Sequence, residues 1–229
     1  MLVLKRKVYK MKRIISLLLL IAISTLIFTS CGDAEQMGTG ACTYLDDRSN
    51  VDRRIFYAEF CIENYGKFVM LLDSTAAPRT VGHFAALVRQ GFYDGKTFHY
   101  VNDRVIQGGC PFGDGSGNIE STVVGEFADN GYTGNDLKHR RGVVAMVRGN
   151  EYDSASCQFF ITRENYHKLD GQYAVFGYIV EGLSVIDEMA STAENYLDTT
   201  YEDYDGLILA SMQPKIKYAK ILDEGWTRK

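Results

Sequence analysis

The sequence predicts a mainly β fold, an antiparallel barrel or sandwich carrying helical lids, and three observations predict it. Two β-branched or aromatic runs meet at a turn early in the folded body. Further short apolar runs follow, separated by glycine-rich or acidic loops, and only two stretches have helical spacing. Many short strands with two helices in about 170 residues leave few other layered arrangements.

The elements follow in order. Residues 55–62 and 67–72 are the first two strands, and Asn64-Tyr65-Gly66 between them reads as a hairpin turn. Pro78 suits the first turn of a helix, Val81, Phe84, Ala85 and Val88 recur at helical spacing, and Gly91 stops it. Short strands are expected at 97–101, 105–107, 142–148, 157–162 and 173–179. A second helix fits 184–191, and the alternation over 215–222 suits a closing strand.

Composition narrows the function classes. The chain has 229 residues, 46% of them hydrophobic and 24% charged, which excludes disorder throughout. Six basic residues (Lys5, Arg6, Lys7, Lys10, Lys12, Arg13) lie in the first thirty positions, where there is no acid. Removing those six from the 25 basic residues leaves 19 against 29 acids, a balance of about −10 for the rest. A body this acidic repels phosphate backbones, so nucleic acid is not an expected partner.

The N-terminal segment reads as an address. The basic cluster precedes an apolar run from Ile14 to Phe28, too short for the ~20 residues of a bilayer-spanning helix but suited to a signal-peptide core. Small residues directly before Cys31 resemble the lipobox of bacterial lipoproteins, in which that cysteine is acylated. Phe28 departs from the aliphatic residue usual there, which keeps a conventional signal peptide or an uncleaved anchor as alternatives. Met11 is an alternative start. The expected organisation is a signal peptide over 1–30, a polar tether lipid-anchored at Cys31 over 31–54, and a folded domain over 55–229. An acidic, tyrosine-rich insertion at about 194–205 is expected to be a solvated loop, with a docking surface for a basic partner as the sharper alternative.

Cys42, Cys61, Cys110 and Cys157 show no C-x-x-C spacing and make no metal-ligand pattern with the four histidines, so isolated core residues are expected and no metal. The glycine-rich stretch 113–118 opens no helix, and it lacks the acidic twelfth position of a calcium loop, so it reads as a plain flexible turn.

Seven ordered blocks then carry a resemblance: Ala77-Pro78-Arg79-Thr80-Val81, Gly91-Phe92-Tyr93-Asp94-Gly95, Phe98-His99, Ile106-Gln107-Gly108-Gly109, Ser156-Cys157-Gln158-Phe159-Phe160-Ile161, Leu169-Asp170-Gly171 and Val175-Phe176-Gly177. In order and near-family spacing, over about residues 66 to 218, they resemble the cyclophilins. The resemblance implies an eight-stranded antiparallel barrel capped by two α-helices, and peptidyl-prolyl cis/trans isomerase activity without a cofactor. It implies that Phe160, Leu169 and Val105 line a proline pocket and that Gln107 and Gln158 hydrogen-bond the substrate backbone. Val147 and Arg148 match the strand that binds the residue before proline, and Tyr173 stands at the pocket rim.

Two departures bear on catalysis. The family's F-H-R reads Phe98-His99-Tyr100, so Tyr100 replaces the arginine credited with most of the catalysis. The stretch from His99 to Gln107 is also one residue short, which puts Arg104 where a pocket-floor phenylalanine usually stands. Lys168 occupies a further position that is usually aromatic. The expected catalytic set is therefore Tyr100, Arg104 and Gln107, with Arg104 or Arg148 supplying positive charge to a slowed isomerase. The alternatives are a non-catalytic proline-binding chaperone or scaffold, and a structural lipoprotein with a vestigial groove. In each case the expected molecule is a monomer, held to a membrane of the bacterial cell envelope by its lipid anchor and facing the periplasm or exterior, and its expected ligands are proline-containing segments.

Overall fold

The structure is a computed structural model and describes residues 55–200 and 206–222. The expected signal peptide, Cys31 and its tether, Cys42, the centre of the acidic insertion and the last seven residues lie outside the described residues.

Eight strands form one sheet: β1 (Ile55–Ile62), β2 (Gly66–Asp73), β3 (Phe98–Val101), β4 (Val105–Gly108), β5 (Val143–Met146), β6 (Phe159–Thr162), β7 (Val175–Glu181) and β8 (Ile216–Ile221). Two helices accompany them, α1 (Pro78–Arg89) and α2 (Leu183–Ala193). The strand order is β3-β4-β6-β5-β7-β2-β1-β8, and every pairing is antiparallel. The sheet curls until its edges meet beside β3 and β8, where Thr97 bridges Lys215 and the Phe98 N–H donates to the Pro214 carbonyl at 2.9 Å. This is the expected eight-stranded antiparallel architecture with two helices.

The β1–β2 hairpin turns where Asn64 adopts φ 68° and Gly66 φ 110°, left-handed values that suit these two residue types. In β1 only alternate residues Ala58, Phe60 and Ile62 are fully buried, as a sheet with one wet face requires. In β2 the run from Phe68 to Leu72 is buried on both faces, because α1 and α2 lie against it. The barrel interior is aromatic: Phe60, Phe68, Phe84, Tyr93, Phe98, Phe159 and Phe176 are all fully buried, with many ring centroids 4.8 to 6.4 Å apart.

The start of α1 is satisfied from a distance. Ala77 offers no side chain to cap it. Instead the buried carboxylate of Glu126 accepts the N–H groups of Arg79 (3.0 Å) and Thr80 (2.8 Å) and the Thr80 hydroxyl (2.7 Å). Helix α2 begins directly after β7 because Gly182 turns the chain at φ 75°. A Cβ there would stand 2.3 Å from the Lys67 carbonyl oxygen, so no other residue fits. The helix runs to Ala193 and tightens into a 3₁₀ turn over Glu194–Tyr196, two residues further than its apolar spacing indicates.

The expected insertion is tied down at both described stems. Leu197 bridges Ile208, Tyr100 bridges Leu207, the Val101 N–H donates to the Gly206 carbonyl at 2.8 Å, and the Ile208 N–H donates to the His99 carbonyl at 2.8 Å. Residues 206–208 thus extend the sheet beyond β3. Cys61, Cys110 and Cys157 are free, the last two buried, as isolated core residues would be.

Candidate active site

Strand alternation builds the site. On β6, Phe159 points into the barrel core while its neighbour Phe160 points out of it. On β4, Ile106 is fully buried in the core, and Val105 and Gln107 share the outer face. On β5, Val144 and Met146 enter the core, whereas Val143 and Ala145 join Phe160 outside. The cross-strand pairs Gln107–Phe160 and Ala145–Phe160 bring these outer faces together.

The result is a second apolar cluster, separate from the barrel core. Val143, Ala145, Phe160 and Val175 are its buried floor, and Val105, Leu137, Val147, Leu169 and Tyr173 pack around it half-exposed. All five apolar or aromatic residues expected to contact substrate (Val105, Val147, Phe160, Leu169, Tyr173) fall in this cluster. Tyr173 meets Phe160 edge-on, with centroids 5.7 Å apart and planes at 87°.

Beneath lies a residue that sequence reasoning did not select. The His139 ring stacks on Phe160 at 5.9 Å and 11°. Its Nδ1–H donates to Asp170 Oδ1 at 3.0 Å, and the same carboxylate takes the exposed His167 at 3.0 Å through Oδ2. Burial lowers the His139 pKa despite the carboxylate, so the ring is neutral and serves as an apolar floor. Burial alone would raise the Asp170 pKa, but hydrogen bonds from the His139 amide and both rings lower it. The continuous apolar run from Val143 to Val147 marks a strand buried on both faces, so Val143 and Ala145 could have been expected to face a second apolar surface. No local signal marks His139.

Beside the cluster runs a chain of amides. Gln158 is buried, and its Nε2 donates to the carbonyls of Gly115 (3.0 Å) and Gly117 (2.7 Å). Gln158 Oε1 accepts from Gln107 Nε2 at 2.9 Å, which leaves Gln107 Oε1 to accept a substrate N–H. Gln158 thus positions Gln107, and the glycine-rich stretch is a clamp for Gln158 rather than a plain turn. His99, fully buried beside Gln107, has its pKa pushed down to about 4 by burial, which the negative charge of Asp114 only partly offsets.

The three expected catalytic residues are not equivalent. Tyr100 pairs across the ladder with Gln107, so both side chains leave the same face. Its hydroxyl accepts from Asn102 Nδ2 at 3.0 Å. Asn102 Oδ1 in turn accepts the N–H groups of Arg104 and Val105, both at 2.8 Å, and so closes the turn between β3 and β4. The Arg104 guanidinium turns away to Asp103 (3.2 Å) and Glu164 and lies over the Tyr166 ring at 5.6 Å. Arg148 sits at the other end of the cluster, over Tyr173.

Comparison with known proteins places this arrangement. The model of the cyclophilin-type peptidyl-prolyl cis-trans isomerase family matches residues 57–207. The chain belongs to the cyclophilin-type peptidyl-prolyl isomerases. It is 38% identical over 129 residues to a peptidyl-prolyl cis-trans isomerase of Helicobacter pylori strain J99, covering 55% of this chain and 76% of that one. It is 37% identical over 133 residues to peptidyl-prolyl cis-trans isomerase B of Bacillus subtilis, covering 58% and 89%. A crystal structure of a cyclophilin-type isomerase from Cryptosporidium parvum superposes with a TM-score of 0.62 at 25% identity, covering 75% of this chain and 99% of that one. The same parasite enzyme has also been solved in the presence of the dipeptide Ala-Pro. The cyclophilin family accounts for the core blocks of the sequence.

Proposed function

We propose that this cyclophilin assists the folding of envelope proteins from a lipid anchor at Cys31, and that it turns over slowly because Tyr100 stands where a guanidinium is usual. The observation that carries the reading is an apolar pocket beside a polar face that Gln107 and the Tyr100 phenol share. Val105, Phe160 and Leu169 offer a proline ring a surface to bury, and Gln107 beside it offers an acceptor to the peptide backbone.

The chemistry needs little more. Rotation about an X-Pro bond crosses a barrier of roughly 18 to 20 kcal/mol because resonance gives the C–N bond double-bond character. No bond to another atom is made or broken. A site that holds the ring, grips one side of the peptide and donates a hydrogen bond to the prolyl nitrogen as it pyramidalises binds the twisted state better than either planar one. Here the Tyr100 phenol shares a face with Gln107, and Arg104 is held by Asp103 and Glu164. Losing a preorganised donor typically costs about 2.7 to 4 kcal/mol, or 10²- to 10³-fold in rate.

A protease-coupled proline isomerisation assay on the full-length chain tests the enzymatic half. Turnover well below that of the Bacillus subtilis relative is expected. Saturable peptide binding without turnover would instead favour a proline-binding chaperone. For the anchor, Cys31→Ser should abolish labelling by a radioactive fatty acid, and unchanged labelling would refute it.

A further inference from the structure

We propose that Arg148 and Lys168 make the mouth of the proline pocket selective for segments carrying an acidic side chain next to the proline. The inference deepens the proposed function and rests on its peptide groove.

Arg148 is held as a fixed cation. Its guanidinium carbon lies 5.4, 5.0 and 4.8 Å from the ring centroids of Phe127, Tyr152 and Tyr173. Its Nε donates to the Gln172 carbonyl at 3.0 Å and its Nη1 to the Gly149 carbonyl at 2.9 Å. Two of the five N–H donors of a guanidinium are thereby used, and three remain. One of the caging rings, Tyr173, is also a wall of the pocket, in edge contact with Phe160. Val147, the preceding residue, packs in the pocket itself.

Lys168 is exposed and directly precedes pocket residue Leu169. Gln172 joins the two sites, its side-chain amide donating to the Lys168 carbonyl at 2.9 Å while its own carbonyl receives Arg148. Neither cation has a carboxylate within ion-pair distance among the described residues, whereas Arg104, Arg141 and Arg163 each hold one. Asp153, which follows Arg148 in the next loop, is occupied: its Oδ1 accepts from the Gly125 N–H at 2.9 Å and Asn130 Nδ2 at 2.8 Å. Two unneutralised charges on an otherwise acidic body concentrate positive potential at the pocket mouth. Because Arg148 is already fixed by its aromatic cage, an incoming carboxylate pays little ordering cost for it.

Calorimetric titration of the full-length chain with proline peptides that differ only in a Glu, Gln or Lys flanking the proline tests this. The parent protein should bind the Glu peptide about three- to tenfold tighter than the Lys peptide, with Gln between, and added salt should narrow the gap. Lys168→Glu, on an exposed side chain, should shrink the preference, and Arg148→Glu should reverse it in favour of Lys; circular dichroism checks that each variant is folded. Equal affinities for the three peptides, or a preference untouched by both substitutions, would overturn the inference and leave the groove standing. No binding of any peptide would overturn both. Acid-selective binding without turnover would uphold the inference while removing the isomerase half of the proposed function.

Discussion

The slow turnover proposed above rests on Tyr100, which shares a face with Gln107 while Arg104 is tied to Glu164. A phenol gives one neutral hydrogen bond, and a guanidinium gives several charge-assisted ones, each roughly twice as strong. Tyr100→Arg should therefore raise kcat/KM by about tenfold or more in the protease-coupled assay. Tyr100→Phe removes the donor and should lower it by roughly two- to tenfold, the range of a neutral hydrogen bond of about 0.5 to 1.5 kcal/mol. Arg104→Ala should change the rate less than Tyr100→Phe does. A larger effect at Arg104 would mean that its guanidinium leaves Glu164 when substrate binds. Gln158 is a positioning residue by the same geometry: Gln158→Leu frees the Gln107 amide to rotate and should raise KM about tenfold with kcat less affected. An equal loss in kcat would place Gln158 in contact with the twisted peptide instead.

At the scale of elements, the segment 206–208 is a strap that holds Tyr100 in place. The Tyr100 ring covers Gly206 so closely that a Cβ there would lie 2.4 Å from Tyr100 Cε2 and 2.5 Å from the Val101 carbonyl oxygen. The backbone contact leaves no easy escape, so Gly206→Ala should cost about 1 to 3 kcal/mol in urea denaturation and lower the rate by displacing Tyr100. Full activity in a destabilised variant would show that the strap serves stability alone. This strap was not legible in the sequence, where residues 206–208 follow the expected insertion at about 194–205 and show no strand or helix pattern of their own. The strands themselves were legible as short β-branched or aromatic runs separated by glycine-rich or acidic loops. The helices were legible from Pro78, Gly91 and their apolar spacing, and the core of the site came from motif blocks on β4 and β6. What local patterns do not encode is partnership across the chain. The Glu126 cap on α1, the Arg104–Glu164 pair and the seat of His139 under Phe160 each depend on a register that exists only once the sheet has closed.

At the scale of the whole molecule, three buried histidines set an acid limit on stability. Burial lowers the pKa of His83, which a hydrogen bond with the Ser156 carbonyl at 2.6 Å only partly offsets, and it does the same to His139 and His99. For His99 the ordinary value of 6.5 falls to about 4. Between those values the unfolded chain takes up a proton at this ring and the folded one does not, so the folded state loses stability as pH falls. The contribution is fully present above pH 6.5 and is lost by about pH 4, amounting to about 3 kcal/mol for His99 alone. Carboxylates act in a lower window: Asp170, held below its ordinary 3.8, keeps its stabilisation until the pH drops beneath that value. Urea midpoints should therefore decline steadily as the pH falls from 7.5 through the histidine window, with Glu59, held below its ordinary 4.5, adding to the decline only toward the lower end. His99→Gln cannot take up the proton, and its midpoint should fall less steeply over the same range, whatever its absolute stability at pH 7.5. An identical slope in parent and variant would mean that His99 gains its proton in the folded state near the ordinary value, and that the ring beside Gln107 is open to water rather than sealed by the glycine clamp.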